Sequence, residues 1–132
     1  MRQLADFLGE WRLSREIAQA DGSVARFEGV ARWVSRADGG ADYSETGALI
    51  TPQGRFAAER RYLWDGDLRV YFDDGRFFHA VPAGGGAAGH WCDPDQYDVT
   101  YDFSGWPEWT AVWRVRGPRK DYVMTSRFVR GR

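Results

Sequence analysis

At 132 residues the chain is long enough for one hydrophobic core and too short for two, so a single domain over residues 1–132 is expected. Its 43% hydrophobic and 28% charged residues exclude a disordered tail, and a net charge of −1 without a dense Lys/Arg block argues against nucleic acid as a partner. The lone Cys92 cannot close an internal disulfide, no stretch approaches membrane-spanning length, and residues 1–7 carry no apolar signal core, so a cytoplasmic, bacterial-type protein with no membrane partner is expected.

Seven Trp, six Tyr and eight Phe make up 16% of the chain, and aromatic side chains favour the pleated, half-buried surface of a strand. Helical spacing occurs only at the start, where Leu4, Phe7 and Leu8 precede Gly9. The period then changes to two. Trp11, Leu13 and Ile17 alternate with Arg12, Ser14 and Glu16, and Phe27, Gly29, Ala31 and Trp33 alternate with Arg26, Glu28, Val30 and Arg32. Glu45 shares a face with Tyr43, Gly47 and Leu49, and Arg60 shares one with Phe56, Ala58, Tyr62 and Trp64. Tyr97, Val99, Tyr101 and Phe103 face one way, as do Trp109, Ala111, Trp113 and Val115. Such alternation predicts antiparallel strands with one buried face.

Asp21-Gly22, Asp38-Gly39-Gly40, Asp65-Gly66 and Asp74-Gly75 are hairpin signals, and Pro52-Gln53-Gly54 and Gly117-Pro118 mark two further corners. Residues 84–89 read as a hairpin loop or the weak start of a strand. The count is about ten strands. That many short strands in a chain this size predict a closed, antiparallel, up-and-down β-barrel with a short N-terminal helix, because closure removes exposed edges.

The segment Phe7-Leu8-Gly9-Glu10-Trp11 resembles the Gly-x-Trp opening of the calycin (lipocalin and fatty-acid-binding) superfamily. The resemblance implies a Trp that closes one end of the barrel and an arginine of the last strand packed across it, with Arg127 and Arg130 as the candidates. A more specific likeness is carried by that segment together with Glu59-Arg60-Arg61-Tyr62, Asp74-Gly75-Arg76-Phe77-Phe78-His79, His90-Trp91-Cys92-Asp93 with Tyr97, and Gly117-Pro118-Arg119-Lys120-Asp121-Tyr122. It is similar to an uncharacterised bacterial lipocalin-like family, the domain of unknown function numbered sixty-three fourteen. That implies a fold and no function. Nitrobindin-like barrels of the superfamily take a haem ligand from a histidine near the C-terminal strands, and this chain has none after His90.

Polar residues on apolar strand faces are the candidates for chemistry. An inward Glu45 and an inward Arg60 each need a partner, either one another, tyrosine hydroxyls, or an anionic ligand. His90 and Cys92 share a face with Asp93 close by, and His79 could join them, but one His-x-Cys pair is weak evidence for zinc, so no metal and no cofactor is expected. Lys120 and Tyr122 follow a corner and could line the barrel mouth with Tyr97, Tyr101 and Trp113. The candidate ligand-binding set is therefore Glu45, Arg60, Tyr62, His79, His90, Tyr97, Tyr101, Trp113, Lys120 and Tyr122.

Three functions remain open. The first is a binding protein for a small apolar or amphipathic molecule, anionic or neutral. The second is a lyase, isomerase or hydrolase in which His79, His90, Tyr97 or Lys120 acts as acid or base and Arg60 steadies negative charge. The third is an interaction module with a filled barrel and an exposed apolar surface. The oligomeric state, a homodimer included, is not legible.

Overall fold

The computed structural model describes residues 1–130. A four-residue helix, α1 (Leu4–Phe7), leads into ten strands: β1 (Gly9–Gln19), β2 (Val24–Ser35), β3 (Ala41–Thr51), β4 (Gly54–Trp64), β5 (Arg69–Phe72), β6 (Phe77–Ala80), β7 (Gly86–Cys92), β8 (Asp95–Asp102), β9 (Trp109–Arg116) and β10 (Asp121–Arg130). All neighbours are antiparallel, in the order β6-β5-β4-β3-β2-β1-β10-β9-β8-β7. The sheet curls into a nearly closed barrel. Strand β1 pairs with β10, and β6 and β7 come side by side without a backbone ladder.

The turn aspartates fix the corners. Asp21, Asp38, Asp65 and Asp74 each accept a hydrogen bond from the backbone N–H two residues on, at 2.9 to 3.0 Å. This is the Asx turn, in which a short carboxylate replaces a backbone acceptor. The start of β7 at Gly86 settles residues 86–89 as strand.

Closure also needs Gly29 and Gly47, which face each other across β2 and β3. A Cβ on Gly29 would lie 2.2 Å from the Thr46 carbonyl oxygen, and one on Gly47 2.2 Å from that of Glu28. The two backbones approach there as closely as only residues without a side chain allow.

One end of the barrel is plugged by aromatics. Phe7, Trp11, Trp33, Trp64 and Trp109 are buried, and Trp106 and Phe103 pack on them from the loop before β9. The Trp11 indole N–H donates to the Phe7 carbonyl at 2.7 Å, tying α1 to β1. Of the two candidate arginines it is Arg130 that covers Trp11, its guanidinium carbon 3.8 Å from the ring centre. Arg130 also donates to the carbonyls of Leu8 and Asp6 at 2.8 and 2.7 Å, replacing partners that so short a helix leaves unpaired. Arg127 points away, to Glu108. The opposite end carries the β1–β2, β3–β4, β5–β6, β7–β8 and β9–β10 loops, and its inward side chains, Leu49, Arg60, Phe72, His90, Tyr97 and Tyr122, are only half-buried.

Candidate functional site

Beneath the aromatic plug the barrel interior is filled by side chains, leaving a cavity of about 30 Å³. A water needs about 10–15 Å³ on this measure, so the space suits about two water-sized molecules. Arg15, Tyr43, Glu45 and Ser126 line it, as do His79 and Tyr101.

Strand alternation turns Arg15 inward from β1, on the face of Trp11 and Leu13. Its guanidinium donates to both carboxylate oxygens of Glu45 at 2.7 Å each, and its Nε–H donates to Ser126 Oγ at 2.7 Å. The Tyr43 hydroxyl donates to Glu45 as well. Burial alone would raise the Glu45 pKa. The hydrogen bonds and charge of Arg15 outweigh it and hold the carboxyl below its ordinary value. Burial, together with the Glu45 charge, pushes Tyr43 well above the usual phenol range.

His79 shares the cavity lining with Tyr101, and its Nε2 lies 2.8 Å from the Tyr101 hydroxyl. Burial, and secondarily the charge of His90, lowers its pKa to about 4, so the imidazole is neutral at pH 7. Burial likewise raises Tyr101. Among the described residues, three buried polar atoms have no hydrogen-bond partner: Trp33 Nε1, Trp109 Nε1 and His79 Nδ1. All three side chains line this one cavity.

The structure divides the ten sequence candidates into two groups. Glu45, Tyr62, His79, Tyr101 and Trp113 line the cavity. Nearer the opposite end, Lys120 donates to the Tyr97 hydroxyl at 3.1 Å and pairs with Asp95 at 3.0 Å, and these partners raise its pKa. Tyr122 is half-buried beside them. Arg60 lies 5.9 Å from the Trp113 ring centre and has no carboxylate within salt-bridge distance among the described residues. Of the three kinds of partner open to Arg60, Glu45 is therefore not the one it takes, although the two are register partners on β3 and β4. Glu45 already receives three hydrogen bonds from Arg15 and Tyr43, and Arg60 lies over Trp113.

His90 stands apart from Tyr101. Phe78 packs edge-on against both imidazoles, 4.3 Å from His79 and 5.6 Å from His90. No group of three or more His, Cys, Asp or Glu side chains is placed to hold a metal ion among the described residues. Sequence reasoning missed Arg15, Tyr43, Ser126, Trp33 and Trp109 as site residues. For Arg15 the signal was its position on the odd-numbered face of Trp11 and Leu13.

No curated protein matches the chain in sequence. Among solved structures, the S-type phycobiliprotein lyase of Guillardia theta is similar, with a TM-score of 0.67 over 98% of this chain and 90% of that one. At 9% sequence identity the likeness is one of fold. The pattern of a family of unknown function (DUF6314) matches residues 7–130, which takes in α1's last residue and all ten strands, and the chain belongs to that family.

Proposed function

We propose that the chain is a small-molecule-binding barrel whose ligand reaches the interior cavity from the end carrying Lys120. One observation carries this reading: the three buried polar atoms left without partners among the described residues all belong to side chains around the same cavity. A buried donor without a partner costs about 1–3 kcal/mol, which a ligand that bonds to it recovers. The size of the cavity narrows the ligand. An apolar cavity of about 150 Å³ is filled by benzene, so a space of about 30 Å³ takes a small molecule or one polar end of a larger one, not a fatty chain. For a larger amphipathic ligand, Arg60 above Trp113 is the group that would meet an anionic end.

Two readings stand behind this one. The fold is shared with an enzyme, the phycobiliprotein lyase, but here His79 is held neutral down to about pH 4 and Lys120 is held charged by Tyr97 and Asp95. Neither is poised for proton transfer near neutrality. An interaction surface is favoured by Trp91 and Phe77, 59% and 47% exposed on adjacent strands. Its test is whether Trp91→Ser changes the oligomeric mass in solution.

The leading reading is tested by titrating the protein with a panel of small polar molecules and fatty acids, following Trp fluorescence and unfolding. A ligand at 100 times its Kd stabilises the fold by about 2.7 kcal/mol. Ala111 lines the cavity, so Ala111→Leu fills it and should abolish the effect. A panel without response, or binding indifferent to Ala111→Leu, overturns the reading.

A further inference from the structure

If the interior is a binding site, its hydrogen-bonding inventory names the ligand class. Trp33 and Trp109 are each 2% exposed, their rings lie 6.0 Å apart, and an indole N–H donates and never accepts. Arg15 spends three of its five N–H donors on Ser126 and Glu45 and has no acceptor to offer. Ser126 Oγ accepts from Arg15 and keeps its own proton to donate. Acceptors are scarce by comparison. Glu45 already receives three hydrogen bonds, and the Tyr43 proton is committed to it.

The lining is also electrically balanced, since Arg15 and Glu45 cancel and the remaining groups are uncharged. A buried anion would find the lining cation Arg15 already paired and Arg60 standing outside the lining beyond Trp113, so it would carry most of the penalty of desolvation. A hydroxyl ligand would bring a proton that few acceptors can take. A carbonyl oxygen brings two lone pairs, no proton and no charge.

We propose that the cavity recognises the oxygen of a small uncharged carbonyl compound, a ketone or amide, through the Trp33 and Trp109 indole N–H groups. This rests on the interior being a binding site, and it adds the identity of the group bound. Where His79 takes part, it does so by donating from Nδ1, in the tautomer whose Nε2 accepts from the Tyr101 hydroxyl.

Acetone, 2-propanol and acetate have nearly the same shape, and each offers a different head: a carbonyl, a hydroxyl and an anion. The indole N–H signals of the ¹⁵N-labelled protein are followed as each is added between pH 6 and pH 8, with assignment from Trp33→Phe and Trp109→Phe. Acetone should shift both signals downfield and saturably, at least tenfold more tightly than its two analogues, and with no dependence on pH. If either variant fails to fold, assignment by through-space contacts in the native protein gives the same readout. Tighter binding of acetate that strengthens as pH falls would make this an anion site and overturn the proposal. Equal binding of 2-propanol would reduce recognition to shape and overturn it too. If no indole signal moves while another compound binds in a manner sensitive to Ala111→Leu, the carbonyl assignment falls and the binding function stands. If nothing binds, both fall.

Discussion

Arg15 and Glu45 form a two-pronged ion pair inside the barrel, with both bonds at 2.7 Å and neither side chain more than 5% exposed. Such a pair adds little over a well-packed apolar pair, but removing one partner strands a buried charge. Arg15→Met or Glu45→Leu alone should therefore lower the unfolding free energy by about 3–5 kcal/mol. The double variant should lose much less than the sum of the two. Urea unfolding of the four proteins measures this, and additive losses would mean that the two groups do not depend on each other.

The two titrating groups of the cavity act in different pH windows. The folded pKa of His79, about 4, lies below its ordinary 6.5, so the unfolded chain binds the proton more readily. Stability from a neutral His79 is complete above pH 6.5 and is lost as pH falls toward 4, about 3 kcal/mol in all. Glu45 is also held low, so its contribution is present above its ordinary value of 4.5 and disappears only as pH falls further, through the folded value. His79→Gln should flatten the stability profile between pH 6.5 and 4.5 and leave the acid limb. A profile that keeps its slope in the variant would assign that slope to other groups.

The strands were legible because alternation and Asp-Gly turns are local, and a barrel repeats both. Even the choice of Arg130 over Arg127 lies in parity, since Arg130 shares its face with buried Phe128. The partner of Glu45 was not legible. Its register neighbours are Ala31 and Arg60, whereas Arg15 reaches it from β1, two strands away, across the curved interior. Nothing along the sequence marks a meeting between side chains 30 residues apart on non-adjacent strands. The burial of His79 hid for another reason. An irregularity in the β5–β6 register at Val70 and Tyr71 breaks the period of two, so adjacent Phe78 and His79 are both buried.

Arg130 holds α1 with two hydrogen bonds and covers Trp11 with its guanidinium plane. Lysine keeps the charge but cannot span both carbonyls while stacking. Arg130→Lys should cost about 1–2 kcal/mol, in line with loss of charge-assisted hydrogen bonds. The loss should be local, as faster amide exchange over residues 4–8 with little change in β2 to β4. Uniform acceleration throughout the barrel would show that Arg130 serves the whole sheet instead.

Gly29 and Gly47 tolerate no side chain, since the first atom would sit 2.2 Å from a backbone oxygen on the facing strand. Overpacking against a flexible side chain costs about 1–3 kcal/mol, and backbone yields less easily. Gly29→Ala or Gly47→Ala should therefore cost at least about 3 kcal/mol or prevent folding. Gly22→Ala, at an open turn with nothing within 4 Å, loses only what its left-handed backbone angle demands, about 1 kcal/mol. Thermal unfolding separates the two classes, and equal losses at Gly22 and Gly29 would remove the steric explanation.

The junction of β6 and β7 is the one place around the barrel where neighbouring strands share no backbone ladder among the described residues. What crosses there is side-chain packing: the His79–Tyr101 hydrogen bond and Phe78 against His90, Tyr97 and Trp113. Strands held by side chains open at lower free energy than strands held by ladders on both edges. Amide exchange should therefore be faster in β6 than in β1, β2 or β10, and Tyr101→Phe should accelerate β6 selectively. Because Phe78 and His79 also line the cavity, opening at this junction would enlarge the cavity. A ligand that fills the cavity should then slow exchange in β6 more than in β2. Protection in β6 equal to that in β1 without ligand would show that side-chain packing alone closes the barrel as firmly as a ladder does.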